Sequence, residues 1–179
     1  HGVNDVDERH VAGEDPVAVR ELVLPLIKRL RDSVPLGVSV CLGTLDRELF
    51  AQLQDAGASI YILKFECADA SRYGQLAAPG SLAERLHAIR WLAQQGWAVS
   101  SGFIVGLPEQ TSGDLIQNLE LAAQLPLRGC SVSPFIPGGD TAYPEAPAGS
   151  PEVTLNCLAL MRWMSPKRII PAVSAMTLI

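Results

Sequence analysis

The chain has 179 residues, 48% of them hydrophobic and 18% charged, with a formal net charge of -5 at neutral pH. Frequent, periodic aliphatic residues exclude disorder, and the length supports one domain with a real core. Lys and Arg form no basic run, which argues against nucleic acid as a partner, and no apolar stretch is long enough to span a bilayer.

The start, His1-Gly2-Val3-Asn4-Asp5, has neither the basic region nor the apolar run of a signal peptide and lacks an initiator Met. It reads as an excised piece of a longer chain in a cytoplasmic setting. The four cysteines, Cys41, Cys67, Cys130 and Cys157, are widely spaced with no Cys-x-x-Cys pair, so neither a zinc site nor a disulfide framework is expected. Small buried apolar thiols are the expectation, and no metal ligand is assigned within this chain.

Short β-branched runs alternate with amphipathic helices. Val11-Ala12 ends a possible first strand. Asp15 is the expected N-cap and Pro16 the first residue of a helix carrying Val19, Leu22, Val23, Leu26, Ile27 and Leu30 on one face, with Pro25 predicting a kink. A strand is expected over 36–42, then a helix capped by Thr44, carrying Leu49, Phe50, Leu53 and Ala56, and stopped at Gly57. The apolar run 60–63 reads as a strand covered on both faces. A short helical turn over 69–76 precedes the capping box Ser81-Leu82-Ala83-Glu84, whose helix carries Leu82, Leu86, Ile89 and Leu92 and ends at Gly96.

A strand is then expected over 97–105, a helix from Thr111 bearing Leu115, Leu119 and Ala122, and a strand over 129–134. The Pro- and Gly-rich stretch 136–151 reads as a long ordered loop. Ser150-Pro151 opens a helix with Leu155, Leu158 and Ala159, and 169–175 reads as a final strand. About six strand–helix units imply an α/β fold with a parallel sheet, read as one domain over 1–179. The pattern alone fits either a doubly wound sheet or a (β/α) TIM-type barrel lacking its first and last strands.

The most informative stretch is Ser101-Gly102-Phe103-Ile104-Val105-Gly106-Leu107-Pro108-Glu109-Gln110-Thr111. Two glycines flank a β-branched strand end, where backbone can approach a flat ligand closely, and the loop that follows is where both architectures bind ligands. A tight turn with no ligand is the plainer alternative. Gly102-x-Ile104-x-Gly106-x-x-Glu109 resembles the fifth-strand motif of radical S-adenosylmethionine (radical SAM) enzymes, which lies against the adenine. Gly13-Glu14-Asp15 resembles their motif at the methionine amino group. Tyr61-Ile62-Leu63-Lys64-Phe65-Glu66-Cys67-Ala68 is similar to the fourth strand of the biotin synthase-like branch, and most of all to the [FeFe]-hydrogenase E maturases. There the glutamate at Glu66 contacts ribose. Arg85 matches the arginine that pairs with the cofactor carboxylate.

Pro134-Phe135-Ile136-Pro137-x-x-Asp140-Thr141 and Pro171-Ala172-x-x-Ala175-Met176 are similar to later strand ends of the same maturases. The likeness runs in order from about Gly13 to Ile179, and methylornithine synthase shares much of it. It implies a partial TIM-type barrel. It also implies S-adenosyl-L-methionine (SAM) as cofactor, contacted by Gly13, Glu14, Lys64, Glu66, Arg85, Gly102, Ile104 and Gly106, with Ser174 and Met176 facing a small-molecule substrate. The chemistry suits the residue types: a carboxylate accepts an ammonium or a hydroxyl, and a guanidinium forks to a carboxylate. The plainer readings are a helix-start carboxylate for Glu14, a solvated Arg85, and a Lys64–Glu66 pair.

This sequence departs from the family pattern at Lys64, where arginine is usual, and at Cys67, where threonine is usual. It departs again at Gly138-Gly139 and at Val173-Ser174. The Cys-x-x-x-Cys-x-x-Cys loop that holds a [4Fe–4S] cluster is not in this sequence. The resemblance places it upstream, so this chain alone is expected to be inactive. A flavodoxin or ferredoxin electron donor is implied for the parent enzyme. The implied reaction is cleavage of SAM to a 5′-deoxyadenosyl radical acting in [FeFe]-hydrogenase cofactor maturation. The alternatives are biotin synthase or methylornithine synthase chemistry, a non-catalytic adenosyl-ligand or partner-binding barrel, and a phosphate-binding barrel enzyme.

Overall fold

A computed structural model describes residues 14–76, 78–138 and 143–178. The possible strand ending at Val11-Ala12 lies outside them. The chain divides into two compact units, His1–Ile62 and Leu63–Ile179.

In the first unit the Asp15 carboxylate caps α1 (Pro16–Ala18), accepting from the Val17 and Ala18 amides at 2.8 and 3.3 Å. The helix continues as a π-helical turn, Val19–Val23, and then as α2 (Leu24–Ser33). Pro25 explains the irregularity: it has no N–H for the preceding turn and its ring crowds the carbonyl four residues back, so the ladder widens and Leu24 donates to the Val19 carbonyl. Strand β1 (Val38–Val40) is shorter than expected. It leads to α3 (Arg47–Asp55), and β2 (Ala58–Ile62) then pairs with β1 in parallel. Parallel pairing requires such a crossover.

The cap of α3 is Asp46, not Thr44: its carboxylate accepts from the Leu49 amide at 2.8 Å. Either oxygen type can cap, and here the residue next to the first turn does so. Leu49, Phe50 and Leu53 are buried, and Phe50 meets Tyr61 edge-on with ring centroids 5.0 Å apart. Gly57 takes φ 106° at the helix exit, a left-handed conformation that glycine adopts without strain. Strand β2 is not covered on both faces, because Ile60 is 38% exposed.

The second unit holds α4 (Ala70–Gln75), α5 (Leu82–Gln94), β3 (Ala98–Val105), α6 (Ser112–Gln124), β4 (Gly129–Pro134) and α7 (Pro151–Met164). Strands β3 and β4 pair in parallel from Ser100↔Gly129 to Val105↔Pro134. The extended segment after Ile62 runs beside β3, with the Leu63 amide donating to the Ser100 carbonyl at 2.9 Å. Leu63, Phe65, Ile89, Leu92, Val99, Phe103 and Val132 form the core. Both expected helix starts hold as capping boxes, Ser81 with Glu84 and Thr111 with Asp114. At the other end of α6 the Arg168 guanidinium donates to the Ala122 and Leu125 carbonyls at 2.6 and 3.3 Å, satisfying groups the helix leaves open.

Two expectations fail here. The segment 169–175 is not a strand among the described residues. It makes one isolated bridge, Gly129↔Ile169, and then a 3-10 turn, Ser174–Thr177. Pro171 cannot donate to a ladder, which ends the pairing. Helix α7 is also rotated from its expected face: Thr154, Cys157 and Met161 are buried, while Leu155 is 55% exposed. The two positions should therefore respond differently to truncation. Met161→Ala should destabilise the protein by about 2–5 kcal/mol and Leu155→Ala by no more than about 0.5 kcal/mol in denaturant titrations. Equal effects would contradict this packing.

Candidate active site

The site is built in the second unit, where chain segments leave the carboxyl ends of their strands. After Phe65 the backbone turns at Glu66, which has φ 62°. This is the left-handed region that non-glycine residues rarely occupy. A pair of backbone bonds holds it there: the Glu66 amide donates to the Gly102 carbonyl at 3.1 Å and the Ile104 amide donates to the Glu66 carbonyl at 2.9 Å. The turn brings the Glu66 side chain beside Ile104. A cavity of about 220 Å³ opens there, lined by Glu66, Leu76, Ala78, Ile104, Leu107, Phe135 and Tyr143.

Glu66 is the one carboxylate lining this cavity among the described residues. Burial pushes its pKa up from the ordinary glutamate value, and the positive charges of Lys64 and Arg85 offset this only in part. Lys64 therefore acts on Glu66 through its field, and no ion pair joins the two among the described residues. Arg85 is not solvated. It is 6% exposed and turned inward from α5, with its guanidinium donating to the Lys64 carbonyl at 3.3 Å and the Pro79 carbonyl at 3.4 Å. It also lies 5.7 Å from the centroid of the Tyr73 ring.

The end of β3 is closed by Gln110. Its carboxamide donates to the Ile104 carbonyl at 3.0 Å and accepts from the Gly106 amide at 2.7 Å. Both glycines of this strand have packing reasons. A Cβ on Gly102 would meet the Ser131 Oγ at 2.3 Å and its carbonyl oxygen at 2.6 Å, and one on Gly106, at φ 89°, would meet the Gly149 Cα at 2.4 Å. Gly149 returns the long loop to the strand ends, donating to the Phe135 carbonyl at 2.8 Å.

In the first unit, the Glu14 side chain lies over Gly43, just past the end of β1. A Cβ there would meet the Glu14 Cγ at 1.9 Å. Gly13 lies outside the described residues. Ser174 is exposed and Met176 half-buried in the 3-10 turn, and neither lines the cavity. Cys67, Cys130 and Cys157 are buried and Cys41 is exposed. Burial raises the Cys67 thiol to about 11 and the Cys130 thiol to about 12, so both stay protonated near neutrality. Among the described residues no group of three His, Cys, Asp or Glu side chains is placed to hold a metal ion, so the described cysteines do not fit a cluster. No helix of the described residues is long and apolar enough to cross a membrane.

Of the residues expected to contact a cofactor, the structure puts Glu66 and Ile104 in the cavity lining, while Lys64, Arg85, Gly102 and Gly106 are not among the lining residues. Sequence reasoning missed Tyr143 and Gly149, while Phe135 and Gln110 stood in quoted motifs without an assigned role. Gln110 could have been suspected from its place right after a strand-end turn, whereas the return of Gly149 is a long-range contact with no local signal.

The geometry has counterparts in known proteins. The chain is 31% identical over 165 residues to the [FeFe] hydrogenase maturase subunit HydE of Thermotoga maritima, covering 92% of this chain and 47% of that protein. It is 27% identical to the 3-methylornithine synthase of Methanosarcina barkeri, over 89% of this chain and 46% of the relative. It is also 27% identical to the biotin synthase of Carboxydothermus hydrogenoformans, over 82% and 44%. No protein-family model matches it. Among solved structures, methylornithine synthase (PylB) superposes with a TM-score of 0.82 at 25% identity, covering 93% of this chain and 51% of that one. HydG, a maturase of the [FeFe]-hydrogenase, superposes with a TM-score of 0.71 at 20% identity, over 88% and 39%.

The parallel α/β fold is thus part of a TIM-type barrel of the radical SAM kind. Within that superfamily the chain belongs to the biotin synthase-like branch, alongside HydE, methylornithine synthase and biotin synthase. It spans about half the length of the curated relatives it matches.

Two measurements check the site. A raised Glu66 pKa means the folded protein holds that proton to higher pH than the unfolded chain does, so stability falls as pH rises from the ordinary glutamate value through the folded one. Glu66→Gln removes the penalty. It should raise the melting temperature at pH 8, and the gain should vanish by pH 4; a gain independent of pH would contradict the assignment. Gly102→Ala forces β4 to move and should cost about 1–3 kcal/mol by chemical denaturation, whether or not any ligand is present.

Proposed function

We propose that this chain is the SAM-holding part of a radical SAM enzyme whose full-length form reductively cleaves SAM to act on a small molecule. The observation that carries the reading is the Glu66 carboxylate. It faces a cavity otherwise lined by apolar and aromatic groups, with no hydrogen bond to its oxygens among the described residues. Glu66 is half-buried, and a ligand hydroxyl in that cavity would give its carboxylate a donor that the apolar lining does not. Ile104, Leu107 and Phe135 offer apolar surface to a flat base.

In this reading Glu66 accepts from the ribose hydroxyls. Arg85 and Lys64 supply positive charge toward the carboxylate end of the cofactor, and Glu14 takes its ammonium. Gly13, next to Glu14 in the sequence, belongs to the same expected contact, Gly102 and Gly106 shape the adenine edge, and Ser174 and Met176 face the substrate. SAM, when bound, supplies the reactive adenosyl group. The residues of this chain bind it, orient it and keep water out. Hydrogenase cofactor maturation is the preferred process, supported by the likeness to HydE, with biotin synthase and methylornithine synthase chemistry next. A flavodoxin or ferredoxin would be the electron donor, in the cytoplasm.

The full-length protein, prepared and reduced without oxygen, should convert SAM to methionine and 5′-deoxyadenosine. Glu66→Gln should weaken SAM binding about tenfold, the loss of one charged hydrogen bond. Absence of the nucleoside product from a reduced, SAM-binding protein would overturn the catalytic reading. It would favour a second one, a barrel that binds an adenosyl ligand without cleaving it.

A further inference from the structure

Two loops frame the cavity. One follows Glu66 and runs into α4, ending with Leu76 and Ala78 in the lining. The other follows β3 and carries Leu107. Each contains a non-glycine residue at positive φ, Glu66 at 62° and Glu109 at 59°, and these are the only two among the described residues. Such conformations persist where surrounding contacts over-determine them.

The contacts are specific and run in both directions. From α4, the Arg72 guanidinium donates to the Pro108 carbonyl, to the Glu109 carbonyl at 3.2 Å and to the Asp114 carboxylate at 3.3 Å. From α6, the Asn118 Oδ1 accepts from the Ala68 amide at 2.6 Å. Asn118 is 1% exposed, and its Nδ2 has no partner among the described residues. A buried carboxamide spent on one backbone amide is an expensive way to fill core space, which marks the contact as a tie between the Glu66 loop and α6, the helix that follows the Leu107–Gln110 loop. The Arg72 side chain is 16% exposed, so its bonds are shielded from water.

We propose that Arg72, seconded by Asn118, is a positioning residue that locks the Glu66 loop to the Leu107–Gln110 loop and so sets the width of the ligand cavity. None of the three hydrogen bonds from the Arg72 guanidinium among the described residues reaches a residue of the cavity lining. It acts through Pro108 and Glu109, adjacent to Leu107, and through α4, which carries Leu76. A planar fork is required, because two carbonyls and a carboxylate are held at once, and an ammonium cannot reproduce that. This inference rests on the proposed function, since it names SAM as the ligand whose fit the lock controls.

The test uses the full-length protein with SAM as probe. SAM affinity is measured by equilibrium dialysis, melting temperature with and without SAM, and hydrogen exchange at 67–69 and 104–110. Arg72→Met should weaken SAM binding at least tenfold, abolish most of the SAM-induced rise in melting temperature and speed exchange in both loops. Arg72→Lys should recover the melting temperature of the free protein but not the affinity. Asp114→Asn, which keeps the helix cap and both carbonyl bonds, should stay within about threefold of the parent affinity. Asn118→Leu should speed exchange at Ala68 above all. If the unmutated protein fails to bind SAM, the proposed function falls, and this inference with it. If that protein binds and Arg72→Met binds equally well, or if Arg72→Lys restores full affinity, the lock alone is overturned.

Discussion

Two backbone hydrogen bonds hold the site together, from the Glu66 amide to the Gly102 carbonyl and from the Ile104 amide to the Glu66 carbonyl. They extend strand pairing past the regular ladder, so that a residue with left-handed backbone is gripped on both sides. Without them Glu66 would relax to an extended conformation, and its carboxylate would no longer share a cavity with Ile104. Gly102 is the weak point of this bridge. Its hydrogen is all that fits between β3 and the Ser131 carbonyl, so the strand spacing that places Glu66 is set on the far side by β4. The core beneath is aromatic, with Phe65 and Phe103 centroids 5.9 Å apart. Glu66 follows Phe65 in the chain, and burial raises the pKa of its carboxylate.

The elements whose starts are written in local chemistry were legible. Asp15-Pro16, Ser81-x-x-Glu84 and Ser150-Pro151 each became the helix start that their side-chain oxygens predict. What failed turned on local details that hydrophobic periodicity does not carry. Leu155 and Thr154 are adjacent, and periodicity alone prefers the leucine in the core, yet Thr154 is buried because its hydroxyl donates to the Ser150 carbonyl at 2.8 Å and needs no other partner. The strand expected over 169–175 had the right residues for a ladder, but Pro171 interrupts it. Of the site, Glu14, Lys64, Glu66 and Arg85 were named from a family resemblance and Gln110 stood in one of its motifs without a role, while Arg72 and Asn118 had no such signal. These two act on backbone groups 36 to 50 residues away, a link that local sequence does not record.

The glycines show how one residue type can answer to packing where a ligand approach is also expected. Glycine at 102 and 106 was read as room for a flat ligand. The structure gives each a duty that no ligand is needed to explain: one admits the Ser131 backbone, and the other lets Gly149 lie against the strand end at φ 89°. Gln110 adds to this, because its carboxamide already satisfies the Ile104 carbonyl and the Gly106 amide. The Gly106 amide is therefore taken, and the Ile104 carbonyl keeps one lone pair. In the proposed reading, a base beside Ile104 would be held mainly by shape and dispersion, with further hydrogen-bonded discrimination coming from elsewhere in the cavity. Glu66 is the charged group in position to provide it, which returns the chemistry of the site to the residue that the backbone bridge holds in place.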